Sequence, residues 1–161
     1  PGPVDHLLSV PRLQRLFQDI SVLVGVTHGL ALLVLDSAGD AWALTGIAMY
    51  GGALALFLSA LEAARRVPMT RTFVYTPKCD TFLTKGPYRI IRHPIYLSYS
   101  VAWLAAPVAT HNIFLGLTAV FMIACYVISA REEERLMAAG ARGAEYAEFC
   151  ARTWRMIPFI Y

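Results

Sequence analysis

The stretch AWALTGIAMYGGALALFLSAL, residues 41–61, contains no charged side chain and is long enough to form a membrane-spanning helix. A helix needs about 20 mostly apolar residues to cross the hydrocarbon core of a bilayer. Further apolar stretches cover residues 20–35, 94–109 and 113–130. Any one short stretch is also compatible with a buried helix of a soluble protein. Four of them in a chain of 161 residues favour an integral membrane protein.

The composition indicates the same class of protein. Hydrophobic residues make up 57% of the chain and charged residues 16%, against roughly 45–50% and about 25% in soluble domains. A soluble domain of this size has too much surface for its volume to hide so much apolar area, and such a chain is not disordered. The three cysteines, Cys79, Cys125 and Cys150, lack metal-ligand spacing, so neither a metal site nor a disulfide framework is expected.

The basic residues are segregated along the chain. All 14 Lys and Arg residues lie before the first apolar stretch, between the second and third, or after the fourth. The two other loops contain none. Under the positive-inside rule this pattern predicts four spans, with both termini and residues 62–93 in the cytoplasm. Because contact with anionic lipid explains basic residues beside spans, no nucleic-acid partner is expected.

The third and fourth apolar stretches are separated only by Thr110, His111 and Asn112. This short connection predicts an antiparallel helical hairpin. We therefore expect an all-α bundle of four transmembrane helices forming a single domain, residues 1–161. Residues 62–93 are too long for a simple connection and predict a functional loop. Together with the C-terminal segment, residues 131–161, this loop would form a small cytoplasmic cap.

The most informative polar run is KGPYRIIRHPIY, residues 85–96. Gly-Pro is typical of a turn, and the fixed backbone angle of Pro94 suits the first turn of a helix. His93 is therefore expected at the cytoplasmic mouth of the third span, with Tyr96 at the same level. A role as simple membrane anchors is the alternative for these two side chains.

A second polar run, REEER at residues 131–135, follows the fourth span. On a helix, the stripe that passes through Cys125 and Ser129 continues to Glu133, which then faces the bundle. The hairpin would bring this end of the span beside His93. A carboxylate at such a position is a candidate functional residue.

Together these runs resemble the isoprenylcysteine carboxyl methyltransferase and phospholipid methyltransferase superfamily. The matching motifs are GPYR at 86–89, RHPIY at 92–96, EE at 133–134, GAEY at 143–146 and RMIP at 155–158. They cover about half of the chain in the family's order. The interval between the glutamates and Tyr146 is slightly longer than in the family pattern, so the choice between Glu133 and Glu134 stays open.

The resemblance implies a membrane enzyme that uses S-adenosylmethionine, without a metal and without the glycine-rich loop of soluble dinucleotide-binding folds. It assigns cofactor binding to residues of the loop, the start of the third span and the glutamate pair. These are Thr81, Phe82, Leu83, Tyr88, His93, Pro94, Tyr96, Glu133 and Glu134. The tyrosine rings suit a sulfonium cation, and a carboxylate suits the ribose hydroxyls or the ammonium group.

The catalytic residues expected from this resemblance are Arg92, Arg131 and Glu133. We expect a lipophilic or small methyl acceptor that reaches the site at the cytoplasmic face of the membrane. A carboxylate acceptor would be held by an arginine, for which Arg89, Arg92, Arg131 and Arg155 are candidates. An amine or thiol acceptor would lose a proton to a glutamate or to His93. The sequence leaves these alternatives open.

Two other functions compete with methyl transfer. A membrane reductase of the sterol reductase type has a related C-terminal architecture and uses a nicotinamide cofactor, but such enzymes are much longer. A non-catalytic membrane module is the third interpretation. The short chain suggests a prokaryotic inner-membrane protein, for which prenylated proteins are not the expected acceptors.

Overall fold

The computed structural model describes residues 11–65 and 82–160, and within these ranges the fold is all-α, as predicted. The α-helices are α1 (Pro11–Val34), α2 (Asp40–Ala64), α3 (Pro94–Thr110), α4 (Ile113–Ala138) and α5 (Gly143–Arg152). A 3₁₀ helix covers Gly86–Arg89. Of the predicted loop at residues 62–93, residues 66–81 lie outside the described part of the chain.

Helices α2 and α4 are long and apolar enough to cross a membrane, by length and composition. Helix α3 is shorter, and the apolar part of α1 covers Val22–Val34. Large apolar side chains such as Leu54 on α2 and Leu117 on α4 are exposed, as expected for helices that face lipid. The sequence pattern ended the last apolar stretch at Ala130, but α4 continues through the three glutamates to Ala138.

Helices α2 and α3 share the closest seam of the bundle. A Cβ atom added to Gly46 would lie 2.7 Å from Cβ of Ala109 and 3.1 Å from the carbonyl oxygen of Ala105. On the α3 side Ala105 and Ala106 are fully buried. Small residues on both helices thus allow the backbones to approach, which is how helices associate in lipid.

Two residues connect helices α3 and α4, which pack against each other. His111 ends α3 in the left-handed backbone region (φ 53°). The side chain of Asn112 then caps α4 by accepting hydrogen bonds from the amides of Phe114 and Leu115. Further along, Nε1 of Trp103 donates to the hydroxyl of Tyr126 at 3.0 Å. This hydrogen bond joins α3 to α4.

Helix α1 meets α3 and α4 through His28. The His28 ring lies edge-on to Trp103, with 4.5 Å between ring centroids. Nδ1 of His28 is 2.9 Å from Oγ1 of Thr118, and the Thr118 hydroxyl donates its own proton to the carbonyl of Leu115. The Thr118 hydroxyl thus lies between the His28 ring and the backbone of α4.

After α5 the chain returns to the start of α3. The amide of Arg92 donates to the carbonyl of Trp154 at 2.7 Å, and the amide of His93 donates to the carbonyl of Arg155 at 3.0 Å. In the other direction the amide of Trp154 donates to the carbonyl of Ile90 at 2.9 Å. These bonds form a short parallel bridge and hold the backbone of His93 in place just before α3 begins.

Candidate functional site

A cavity of about 180 Å³ opens where the start of α3, the charged end of α4 and helix α5 meet. Its lining combines aromatic rings with a few polar side chains, which is the usual character of small-molecule sites. The lining residues are Phe82, Leu83, Tyr88, Arg92, His93, Pro94, Ile95, Tyr96, Glu133, Met137, Tyr146 and Phe149.

Most of the predicted site residues meet at this cavity. The predicted residues that line it are Phe82, Leu83, Tyr88, Arg92, His93, Pro94, Tyr96 and Glu133. Glu134 and Arg131 do not line it, since Glu134 is buried outside the lining and Arg131 is exposed on α4. Thr81 lies outside the described residues.

Glu133 is the carboxylate of the cavity. Its Oε1 accepts a hydrogen bond of 2.5 Å from the hydroxyl of Tyr96, and its Oε2 lies 3.6 Å from Nδ1 of His93. The residue follows the apolar part of α4, at the end of the helix. Burial raises the pKa of Glu133, and this outweighs the opposing effects of Tyr96 and His93. A carboxylate in such a place gains by pairing with a cation or by taking up a proton.

Glu134, the next residue on α4, belongs to a different network. Its Oε1 accepts from Nε of Arg92 at 2.7 Å and lies 3.3 Å from Nε2 of His93. Its Oε2 accepts from Nε of Arg155 at 2.8 Å. Burial alone would raise the pKa of Glu134, but the hydrogen bonds from His93, Arg155 and Arg92 hold it well below the usual range. The sequence did not decide which of the two glutamates would bind the cofactor. In the structure Glu133 lines the cavity, whereas Glu134 is paired with two arginines.

His93 connects the two glutamates. One ring nitrogen faces each carboxylate, and the ring stacks on Tyr96 with 5.5 Å between centroids. Tyr96 in turn stacks on Tyr126 at 5.5 Å. The polar wall of the cavity is thus continuous with the aromatic contacts between α3 and α4.

The arginines expected to hold a carboxylate acceptor are arranged otherwise. Arg92 borders the cavity, but its Nε binds Glu134 and its Nη1 donates to the carbonyls of Cys150 and Thr153. Arg155 is also paired with Glu134. Arg89 is exposed at the end of the 3₁₀ helix. In the described part of the chain, Arg92 is the one basic residue that lines the cavity.

Helix α5 supplies the aromatic wall that the sequence did not assign to the site. Phe149 stacks on Phe82 with 5.1 Å between centroids, and Tyr146 meets the same ring edge-on at 5.4 Å. The guanidinium of Arg142 lies 5.1 Å from the Phe82 centroid. Tyr146 and Phe149 are three residues apart and share one helix face, a spacing that could have indicated this role.

Tyr88 closes the cavity from the 3₁₀ helix. It is buried, and burial together with the charge of Glu133 raises the pKa of Tyr88 to about 12. Its hydroxyl therefore keeps its proton at neutral pH. The polar groups of the cavity lining are thus three phenols, an imidazole, a guanidinium and one carboxylate.

Comparison with known proteins supplies the family. The model of the phospholipid methyltransferase family matches residues 41–140, which is more than half of the chain. The chain belongs to the phospholipid methyltransferase family. Membership confirms the resemblance drawn from the motifs and the predicted class of enzyme, a methyltransferase.

A curated relative of this family member is methanethiol S-methyltransferase 1 of Bradyrhizobium diazoefficiens. The two are 38% identical over 80 residues, which cover 48% of this chain and 26% of the relative. The chain thus spans about a quarter of the length of the curated relative that it matches.

Proposed function

We propose that this protein transfers a methyl group from S-adenosylmethionine to a lipophilic or small acceptor at the cytoplasmic face of a membrane. The observation that carries the proposal is the cavity at the end of the apolar helices, where His93, Tyr96 and Glu133 converge. The family and the S-methyltransferase relative support the same reaction.

The chemistry of the lining fits this cofactor. When bound, it supplies a methyl group on a sulfonium cation. Ring faces such as those of Tyr88 and Tyr96 stabilise a cation, and Glu133 can pair with an ammonium group or with ribose hydroxyls. Phe82 and Phe149 add an apolar surface to the same lining. We assign cofactor binding to these residues, to Leu83, His93 and Pro94, and to Thr81.

The arrangement of charge favours an acceptor that carries a proton, such as a thiol or an amine. A carboxylate acceptor needs a cationic donor aimed into the cavity, but the guanidinium groups of Arg92 and Arg155 are directed at Glu134. It would also face Glu133 across the cavity, at a repulsive cost. Glu133, whose pKa is raised by burial, is suited to receive the proton that a thiol or amine loses on methylation. Arg92 and Glu134 then act by positioning His93.

The proposed enzyme crosses the membrane four times as a single domain, residues 1–161. Helices α3 and α4 form the transmembrane hairpin, and both termini face the cytoplasm. The segregation of basic residues supports this topology. Residues 62–93 and 131–161 form the cap that carries the cofactor, and a prokaryotic inner membrane is the proposed location.

Ligand binding in detergent tests the cofactor. We expect S-adenosylhomocysteine, the product form of the cofactor, to give a calorimetric binding signal, and NADPH to give none. Binding of NADPH alone would favour a nicotinamide-dependent reductase, and binding of neither compound would favour a non-catalytic module.

Methyl transfer into a mixture then identifies the acceptor. The protein is incubated with S-adenosylmethionine labelled in its methyl group and with a total extract of lipids and small molecules. We expect label in a thioether or a methylated amine. Label recovered as a base-labile methyl ester would contradict the assignment of a proton-bearing acceptor.

A further inference from the structure

The segment after α5 presents an apolar surface that the bundle does not cover. We call it the C-terminal patch. It consists of Ile90, Trp154, Ile157, Phe159 and Ile160, which are all exposed. The rings of Trp154 and Phe159 lie 5.6 Å apart, so the patch has a contiguous aromatic centre. Side chains of this kind are seldom left together in water without a partner.

The chain around the patch has two distinct faces. Thr153 and Met156 point inward and are buried, whereas Trp154 and Ile157 point outward. Oγ1 of Thr153 donates to the carbonyl of Phe149, which fixes the inward face against α5. The outward face is therefore held in place by the fold.

The patch is connected through backbone hydrogen bonds to the segment that precedes α3. The backbone of Trp154 and Arg155 is bonded to residues 90–93, and α3 begins at the next residue, Pro94. Ile90 and Trp154, two residues of the patch, thus lie beside the segment that immediately precedes an apolar helix. In the proposed topology this is the level at which the cytoplasmic lipid headgroups meet the protein.

The charges beside the patch match the surface of an anionic bilayer. Arg89 directly precedes Ile90, Arg152 lies two residues before Trp154, and both are exposed. Tryptophan is enriched at membrane–water interfaces. Basic side chains next to a membrane are attracted by anionic headgroups.

We propose that the C-terminal patch docks on the surface of the anionic cytoplasmic leaflet, with Trp154 and Phe159 among the headgroups. This inference rests on the proposed membrane topology and not on the identity of the methyl donor. Docking stabilises the bonded pair of segments 90–93 and 153–156. The lipid surface therefore supports the backbone position of His93 from outside the cavity.

Fluorescence quenching by lipids tests the proposal. Trp154 is made the single tryptophan by Trp42→Phe and Trp103→Phe, and the full chain is reconstituted in vesicles of phosphatidylcholine and phosphatidylglycerol. Bromine atoms on the acyl chains quench at defined depths. We expect strong quenching by bromines near the headgroups, weak quenching by bromines at the bilayer centre, and weaker quenching overall without phosphatidylglycerol.

A matched pair of variants separates docking from general effects. In the same background, Phe159→Ser with Ile160→Ser should reduce quenching. These side chains are 82% and 78% exposed. The control is Leu33→Ser with Val34→Ser, which are 82% and 80% exposed at the end of α1. The control should leave quenching of Trp154 unchanged.

Flotation of the vesicles in high salt shows separately whether the chain is embedded. A protein that floats while Trp154 escapes quenching at every depth would overturn the docking proposal alone. A protein that does not float would overturn the membrane topology. Quenching that appears only when the protein is diluted in lipid would instead assign the patch to a contact between two copies of the chain, and would also overturn docking on lipid.

Discussion

At the scale of single residues, the two adjacent glutamates have different roles. Glu133 faces the cavity and binds Tyr96, whereas Glu134 is enclosed by two arginines and His93. A shift of one residue on a helix turns the side chain by about 100°, which is enough to separate a ligand-facing carboxylate from a structural one. Glu132, one position earlier, pairs with Arg135 on the surface.

Replacing Glu134 by Gln should destabilise the protein strongly. Removing one partner of a buried charge network leaves the others uncompensated, at a cost of about 3–5 kcal/mol. Chemical unfolding in detergent measures the effect. Glu132→Gln is the matched control, and an exposed pair such as Glu132–Arg135 contributes at most about 1 kcal/mol. Equal effects of the two substitutions would contradict the assignment of Glu134 as structural.

The same network predicts how stability depends on pH. The pKa of Glu134 in the folded protein lies below its ordinary value of 4.5. Its contribution to the free energy of unfolding is therefore fully present above pH 4.5 and is lost as the pH falls toward the lower, folded-state pKa. Thermal unfolding between pH 6 and pH 3 should show this loss in the parent, and a flatter profile in Glu134→Gln. A parallel decline in both proteins would show that other groups control it.

Replacing Glu133 by Gln, or His93 by Ala, should weaken cofactor binding, and Glu133→Gln should do so without destabilising the protein in the absence of cofactor. We expect each substitution to lower the affinity for S-adenosylhomocysteine by about tenfold, or about 1.4 kcal/mol. Glu133→Gln should leave stability at neutral pH unchanged or higher, because burial disfavours the charged form. Calorimetry with Glu132→Gln as control measures the effect. Loss of binding in the control would show that the helix phase is wrong.

At the scale of helices, the seam between α2 and α3 depends on one glycine. Gly46→Ala places a methyl group 2.7 Å from Cβ of Ala109, so the helices must separate. Overpacking of this kind costs about 1–3 kcal/mol. Gly51→Ala is the control on the same helix, since its added Cβ meets nothing within 4 Å. Unfolding midpoints should fall for the first variant and stay or rise for the second; similar midpoints would contradict the seam.

Much of the helical architecture could be predicted from the sequence, because apolar length and proline position are local signals. Pro94 starts α3 as expected, and α4 begins at Ile113, where the fourth apolar stretch begins. The seam at Gly46 could not be predicted. From the sequence alone, Gly25, Gly29, Gly51 and Gly52 are equally good candidates for a close helix contact. The pairing of residues 90–93 with 153–156 is also a long-range contact without a periodic signature.

The candidate site likewise has a part that could be predicted from the sequence and a part that could not. The motif at residues 92–96 and Glu133 could be placed together because the apolar stretches before and after residues 110–112 have similar lengths. The arginines were harder to assign, since a charge reveals nothing of its partner until the fold is known. Arg92 and Arg155 thus bind Glu134, although the sequence suggested a substrate. Phe149 was missed because a buried aromatic residue on a short helix more often marks a core.

At the scale of the whole molecule, membrane topology is the central prediction. Ser37→Cys and Ala141→Cys are introduced singly after replacement of Cys79, Cys125 and Cys150 by Ser. An impermeant maleimide should label position 37 on intact cells and position 141 only in inverted membranes. Both positions are exposed, so access depends on the side of the membrane. Labelling of both from the same side would contradict four spans.

The seam at Gly46 also bears on how the chain enters the membrane during synthesis. Helix α3 is short, contains Pro107 and carries Ser98 and Ser100, so it is a poor candidate for insertion alone. Its closest partner, α2, is synthesised earlier and is itself apolar enough to insert. We expect α2 to remain beside the translocon until α3 has been synthesised. The two helices then partition into lipid as a pair. A bulky residue at position 46 would then act during synthesis. We expect failed insertion of the ribosome-bound chain, followed by its degradation, before the protein has folded.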